Sequence, residues 1–120
     1  MGITLLAPDD QEDLPDEYSG MSYFQNLGAE EAALESLKDL QVSKLYDLVV
    51  WGSVDGEESV FHPATLILKE AEKLKQWLTN NEGWDDFDYG RDGFLQDLEE
   101  FITVMTFAAS ASYSFSLEYC

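Results

Sequence analysis

From Phe94 onward the apolar residues recur at intervals of three and four: Phe94, Leu95, Leu98, Phe101, Ile102 and Met105. On an α-helix that spacing gathers them into one stripe and leaves Asp97, Glu99 and Glu100 largely outside it. A long helix in water is stabilised mainly by burying such a stripe, so the chain must fold as a packed domain around it. The helix is expected to begin near Gly90 to Asp92 and to last to about Ala108. The segment just before it has another character. Glu82, Asp85, Asp86, Asp88 and Asp92 face a single cation, Arg91, and are interleaved with Trp84, Phe87 and Tyr89. Acid combined with aromatic surface suits a contact region, in which rings supply anchors and carboxylates select a cationic partner.

Net charge narrows the choice of partner. Twenty-five acids against six Lys plus Arg give −19, which repels nucleic acid and anionic membranes and attracts basic proteins, cationic ligands or divalent ions. The 120 residues are 45% apolar, enough for one domain with a real core. An acidic exterior that serves only solubility is the competing explanation. The single cysteine is the last residue, Cys120, so no internal disulfide forms and pairing between molecules stays open. The opening MGITLLAPDD lacks a basic n-region, and no apolar run approaches the roughly 20 residues of a membrane span. The expectation is a cytoplasmic protein without membrane attachment.

Taken in order, Ile3 to Ala7 suits a short strand, and the acidic, proline-bearing residues 8–20 suit an exposed loop. Ala33, Leu34, Leu37 and Leu40 mark a helix over Ala29 to Leu40 with acids in its first turn. Val42 to Trp51 is rich in β-branched and aromatic residues, and Asp55-Gly56 supplies a tight turn. A hairpin is therefore expected, with strands near Leu45 to Val54 and Glu57 to Phe61. A helix over Lys44 to Trp51 is the alternative, since Leu45, Leu48 and Val49 also fit its period.

Pro63 at the first helical position opens a helix running to about Thr79. It buries Leu66, Ile67, Ala71, Leu74, Trp77 and Leu78 and turns Lys69, Lys73 and Lys75 to the other side. The chain closes on a strand in which Tyr113, Phe115, Leu117 and Tyr119 alternate with Ser112, Ser114, Ser116 and Glu118. The fold class expected is α+β: one domain, residues 1–120, with a small, mostly antiparallel sheet and about three helices packed on one face.

Two stretches, LQVSKLYDLVVWGSVDG (Leu40 to Gly56) and DLEEFITVMTFAASASYSFSLEY (Asp97 to Tyr119), resemble the YfbM-like family of small bacterial proteins. The shared features are a Lys and an aromatic-Asp pair before an apolar run, then a closing helix and strand. The resemblance implies a bacterial α+β protein, some of whose relatives look like immunity or accessory proteins. It carries over no catalytic residues.

Little in the chain suits catalysis. The only imidazole, His62, precedes Pro63, where a cap or surface role suffices, and neither Ser53 nor Ser59 lies in a GxSxG turn. One His and one terminal Cys do not make a zinc site, and no glycine-rich phosphate loop is present. No enzyme activity and no cofactor are expected. Two binding roles fit better. In the first, Trp84, Asp85, Asp86, Phe87, Asp88, Tyr89, Asp92, Asp97, Glu99 and Glu100 form an acidic surface. That surface would inhibit a basic nuclease, toxin or DNA-binding complex, either as an immunity protein or as a nucleic-acid mimic such as an anti-restriction or anti-CRISPR protein. In the second, residues 88–99 form an EF-hand-like calcium loop with Asp88 at position one, Asp92 at five, Gly93 at six and Glu99 at twelve; Gly90 stands where position three wants a ligand.

Overall fold

A computed structural model describes residues 3–6, 22–23, 25–51, 60–84, 86–87 and 90–119. In chain order they form β1 (Ile3–Leu6), β2 (Ser22–Tyr23), α1 (Gln25–Gly28), α2 (Glu31–Asp39), α3 (Leu45–Leu48), β3 (Val49–Trp51), β4 (His62–Pro63), α4 (Ala64–Asn80), α5 (Arg91–Ser110) and β5 (Ser114–Tyr119). The class is α+β, with three long helices and two single turns, α1 and α3.

The frame is the pair α4 and α5. Ile67, Ala71, Leu74 and Leu78 of α4, at helical intervals, are fully buried, as are Phe94, Leu98, Phe101, Met105 and Ala108 of α5. Those two stripes face each other, and both ends are tied. Ala64 N–H donates to the Tyr113 carbonyl at 2.9 Å, and Arg91 donates to the Leu78 carbonyl, so the helices run antiparallel. Gly90 enters α5 at φ 104°, a conformation that L side chains resist, which is why a glycine stands there.

β5 is the organising strand. The sheet order is β2-β1-β5-β3, with β4 also paired to β5. β1 runs antiparallel to β5 with Leu5 opposite Leu117, and β3 runs parallel to it with Val49 opposite the same Leu117. That register makes a row, Leu5–Leu117–Val49, which joins Ile3 and Phe115 in one core with the helix stripes. The alternation expected over Tyr113 to Tyr119 places this row correctly, but Ser116, from the polar series, is also fully buried. Its hydroxyl donates to Glu118 at 3.3 Å. The strand is central, so neighbours on both edges shield a small polar side chain.

The described parts of the expected hairpin take other structure. Leu45–Leu48 is a helical turn, and Val49–Trp51 takes β5 as a parallel partner. Val60 and Phe61 lie outside any strand, and the antiparallel contact to β5 falls on His62 and Pro63, opposite Phe115 and Ser114. The alternative helix over Lys44 to Trp51 is realised in its first half only. β-Branched Val49 and Val50 end it, and the backbone groups of β5 offer them a ladder that local propensity cannot reveal. Among the described residues three of the four strand pairings are antiparallel and the β3–β5 pairing is parallel. Pro63 stands just before α4, extended at ψ 140°. The Asp55-Gly56 turn and the loop at 8–20 lie outside the described residues.

Candidate partner-binding surface

The acidic-aromatic segment links α4 to α5, and its rings are part of the packing. Trp77 meets Trp84 edge-on at 5.7 Å between centroids, Trp84 meets Phe87 at 5.2 Å, and Phe87 lies 4.5 Å from buried Phe94. This ladder runs from the surface of α4 into the core and leaves Trp84 and Phe87 half-buried. Such ring pairs add about 0.5–1.5 kcal/mol each beyond area burial. Trp84 and Phe87 are therefore fixed supports of the segment, with only part of each ring offered to a partner. Asp85, Asp88 and Tyr89 lie outside the described residues.

Arg91, which the sequence sets among acids, is turned instead to backbone carbonyls. Its guanidinium donates to Asn81 at 3.1 Å, to Trp84 at 2.9 Å and to Leu78. A planar fork with five N–H donors suits this clamp on the end of α4. The last carbonyls of α4 gain donors, and the link is held in one course between the helices.

The candidate acids divide into different roles. Asp86, Asp92, Glu99 and Glu100 are exposed. Glu99 pairs with Lys75 at 3.6 Å while its side chain stays 63% exposed. Asp97 is half-buried, and its Oδ2 accepts the Leu27 N–H at 3.2 Å. That bond holds α1, and with it the entry to α2, against the second turn of α5. On α2 the exposed acids Glu31, Glu35 and Asp39 recur every four residues and join the candidate acids expected from the sequence. The signal was present in their spacing, but only the seating of α2 shows which side it turns to solvent.

Residues Arg91–Ser110 are helical, so the described part of the stretch 88–99 is a helix from its fourth residue; Asp88 lies outside the described residues. Gly93 lies inside α5, and Asp92 and Glu99 are seven residues apart on it, about 10 Å along the axis. Among the described residues no cluster of three or more His, Cys, Asp or Glu side chains is placed to hold a metal ion.

The cations are gathered elsewhere. Four of the five lysines, Lys38, Lys44, Lys69 and Lys73, lie on the end of α2, the turn into α3 and the outer side of α4, whereas Lys75 is turned to Glu99 of α5. Buried Glu70 organises this region. Its Oε1 accepts the Lys44 N–H at 2.7 Å and its Oε2 accepts Lys73 Nζ at 3.0 Å, while the Ser43 hydroxyl donates to its backbone carbonyl at 2.8 Å. Burial alone raises a carboxyl pKa; here the bonds from Lys44 and Lys73, with the nearby charge of Lys69, outweigh it and hold Glu70 below the ordinary value. Lys38 is bonded to Asp47 at 2.8 Å and lies 5.3 Å from the Tyr46 ring; the Asp47 bond raises its pKa.

Comparisons of the chain with models of protein families, with curated proteins and with solved structures found no match. Fold and surface together define a small α+β domain whose exposed acids, among the described residues, lie mainly on α2, the 81–90 link and the first turns of α5. No helix among the described residues is long and apolar enough to cross a membrane.

Proposed function

We propose that this protein binds a basic partner protein through its acidic surface and occupies a site of the kind that otherwise receives nucleic acid. The observation that carries this reading is the lack of compensation. Glu31, Glu35, Asp39, Glu82, Asp86, Asp92 and Glu100 are exposed and form no ion pair with another described residue. Acids on α2 are spaced about 6 Å along the axis, within the Debye length of about 8 Å at physiological salt. Their potentials therefore reinforce one another. A duplex carries one charge per about 1.7 Å of axis, so α2 alone is too sparse to imitate it, and the proposed surface draws on the acids of the link and of α5 as well. A protein that plugs a toxin's basic cleft and one that replaces DNA on a DNA-handling protein both use such a surface.

The test is capture from host lysate with the tagged protein beside its Asp86→Asn/Asp92→Asn/Glu100→Gln variant, washed at rising salt. A basic nuclease, toxin or DNA-binding complex retained by the wild type, lost from the variant and displaced by duplex DNA supports the proposal. Equal retention by both proteins, or retention that salt does not weaken, overturns it.

A further inference from the structure

The lysines also enclose a cleft that the acidic surface does not use. It has a volume of about 490 Å³ and is walled by Lys38, Gln41, Lys44, Asp47 and Lys73 above Glu70. We propose that this cleft is a separate binding site for a small multivalent oxyanion, one bearing phosphate or several carboxylates.

Its volume falls in the range of small-molecule pockets, and its walls are rich in donors. An ammonium has three N–H groups. Lys38 uses one on Asp47 and Lys73 one on Glu70, which leaves two on each directed elsewhere. Lys44 has no ion pair with a described residue and contributes a full charge. The two carboxylates of the cleft are engaged: Asp47 by Lys38, and Glu70 by the Lys44 N–H and Lys73 Nζ. They act here as holders. By holding Lys38 and Lys73 in place, they remove part of the ordering cost that long side chains impose on a ligand. Lys69 adds further positive charge one turn before Lys73 on α4.

Gln41 supplies an independent observation. It ends α2 at φ 61°, with Val42 N–H donating to Leu37 and Gln41 N–H to Lys38, both at 2.9 Å. Helices that end this way favour glycine at that position, because the left-handed conformation strains other side chains. A glutamine held there despite the strain places an amide on the wall of the cleft. This site rests on the lysines and Gln41, so it stands or falls independently of the acidic surface.

The experiment is isothermal titration calorimetry of the full chain with inorganic pyrophosphate and with citrate, backed by backbone amide NMR. Saturable binding with the largest shifts at residues 38 to 44 and at Lys73 is expected. Lys44→Gln should weaken it about tenfold, the scale of one charge-assisted hydrogen bond, with thermal stability unchanged. Gln41→Gly should raise thermal stability while weakening binding, a split that a purely structural role does not produce. Binding of pyrophosphate alone identifies a phosphate site, and binding of both probes a general oxyanion site. No saturable heat at millimolar probe, or affinity indifferent to Lys44→Gln, overturns the proposal.

Discussion

Glu70 Oε1 accepts the backbone N–H of Lys44 at 2.7 Å, so a buried carboxylate in α4 holds the turn from which α3 and β3 begin. Ser43 strengthens the joint, since its hydroxyl donates to the Glu70 carbonyl and accepts the Leu45 N–H at 3.2 Å. The parallel pairing of β3 with β5 depends on this anchor, because Val49 follows only five residues after Lys44.

Stability should therefore depend on pH through Glu70. Its folded pKa is depressed, so its contribution is fully present above the ordinary value of 4.5 and is lost as pH falls through the lower folded value. Glu70→Gln should cost about 1–3 kcal/mol at neutral pH and flatten that part of the acid limb. Urea unfolding between neutral pH and pH 3 would check this, and an unchanged acid limb in the variant would remove Glu70 from the account.

Arg91→Lys should be destabilising although charge is conserved. A single ammonium cannot reach the Leu78, Asn81 and Trp84 carbonyls together as the guanidinium does. A loss of about 1–3 kcal/mol is expected, with altered tryptophan emission as Trp84 moves against Trp77. Wild-type emission and stability would show that the clamp is dispensable.

Ser112 ends α5 at φ 61°, with Tyr113 N–H donating to Ala108 at 2.9 Å, the same left-handed ending that Gln41 gives α2. Ser112→Gly should stabilise the fold by about 0.5–1 kcal/mol by removing that strain. A lower melting temperature in this variant would mean that the Ser112 side chain makes a contribution larger than the strain.

Neutralising the exposed acids should separate stability from binding. In Asp86→Asn/Asp92→Asn/Glu100→Gln, relief of like-charge repulsion opposes the loss of Asp92 from the first turn of α5, a position worth about 0.3–1 kcal/mol. Folding stability should stay within about 1 kcal/mol of wild type. Affinity for a basic partner should fall, and its dependence on salt should become shallower. A collapse of the fold would instead assign these acids to structure.

The long helices and the first and last strands in chain order were legible because their signals are local and periodic. The stripe from Phe94 to Met105, the stripe expected from Leu66 to Leu78 and the alternation from Tyr113 to Tyr119 each settle an element and most of its buried side; Leu66 is left exposed, and Ser116 is the one polar residue of β5 drawn inside. The acidity of 82–100 was equally plain. Its division was not: Asp97 serves Leu27, Glu99 meets Lys75 and Arg91 turns away from the acids to backbone carbonyls.

What the sequence alone determined was the α+β class, its long elements and the excess of negative charge, all of which follow from residue type and spacing. Tertiary structure alone decided that β3 takes β5 as a parallel partner, and that lysines from α2, the α3 turn and α4 meet around Glu70. Backbone donors and acceptors are the same in every residue, so strand partners leave no mark on composition. Side chains distant in sequence converge only when core packing has set the helices in place.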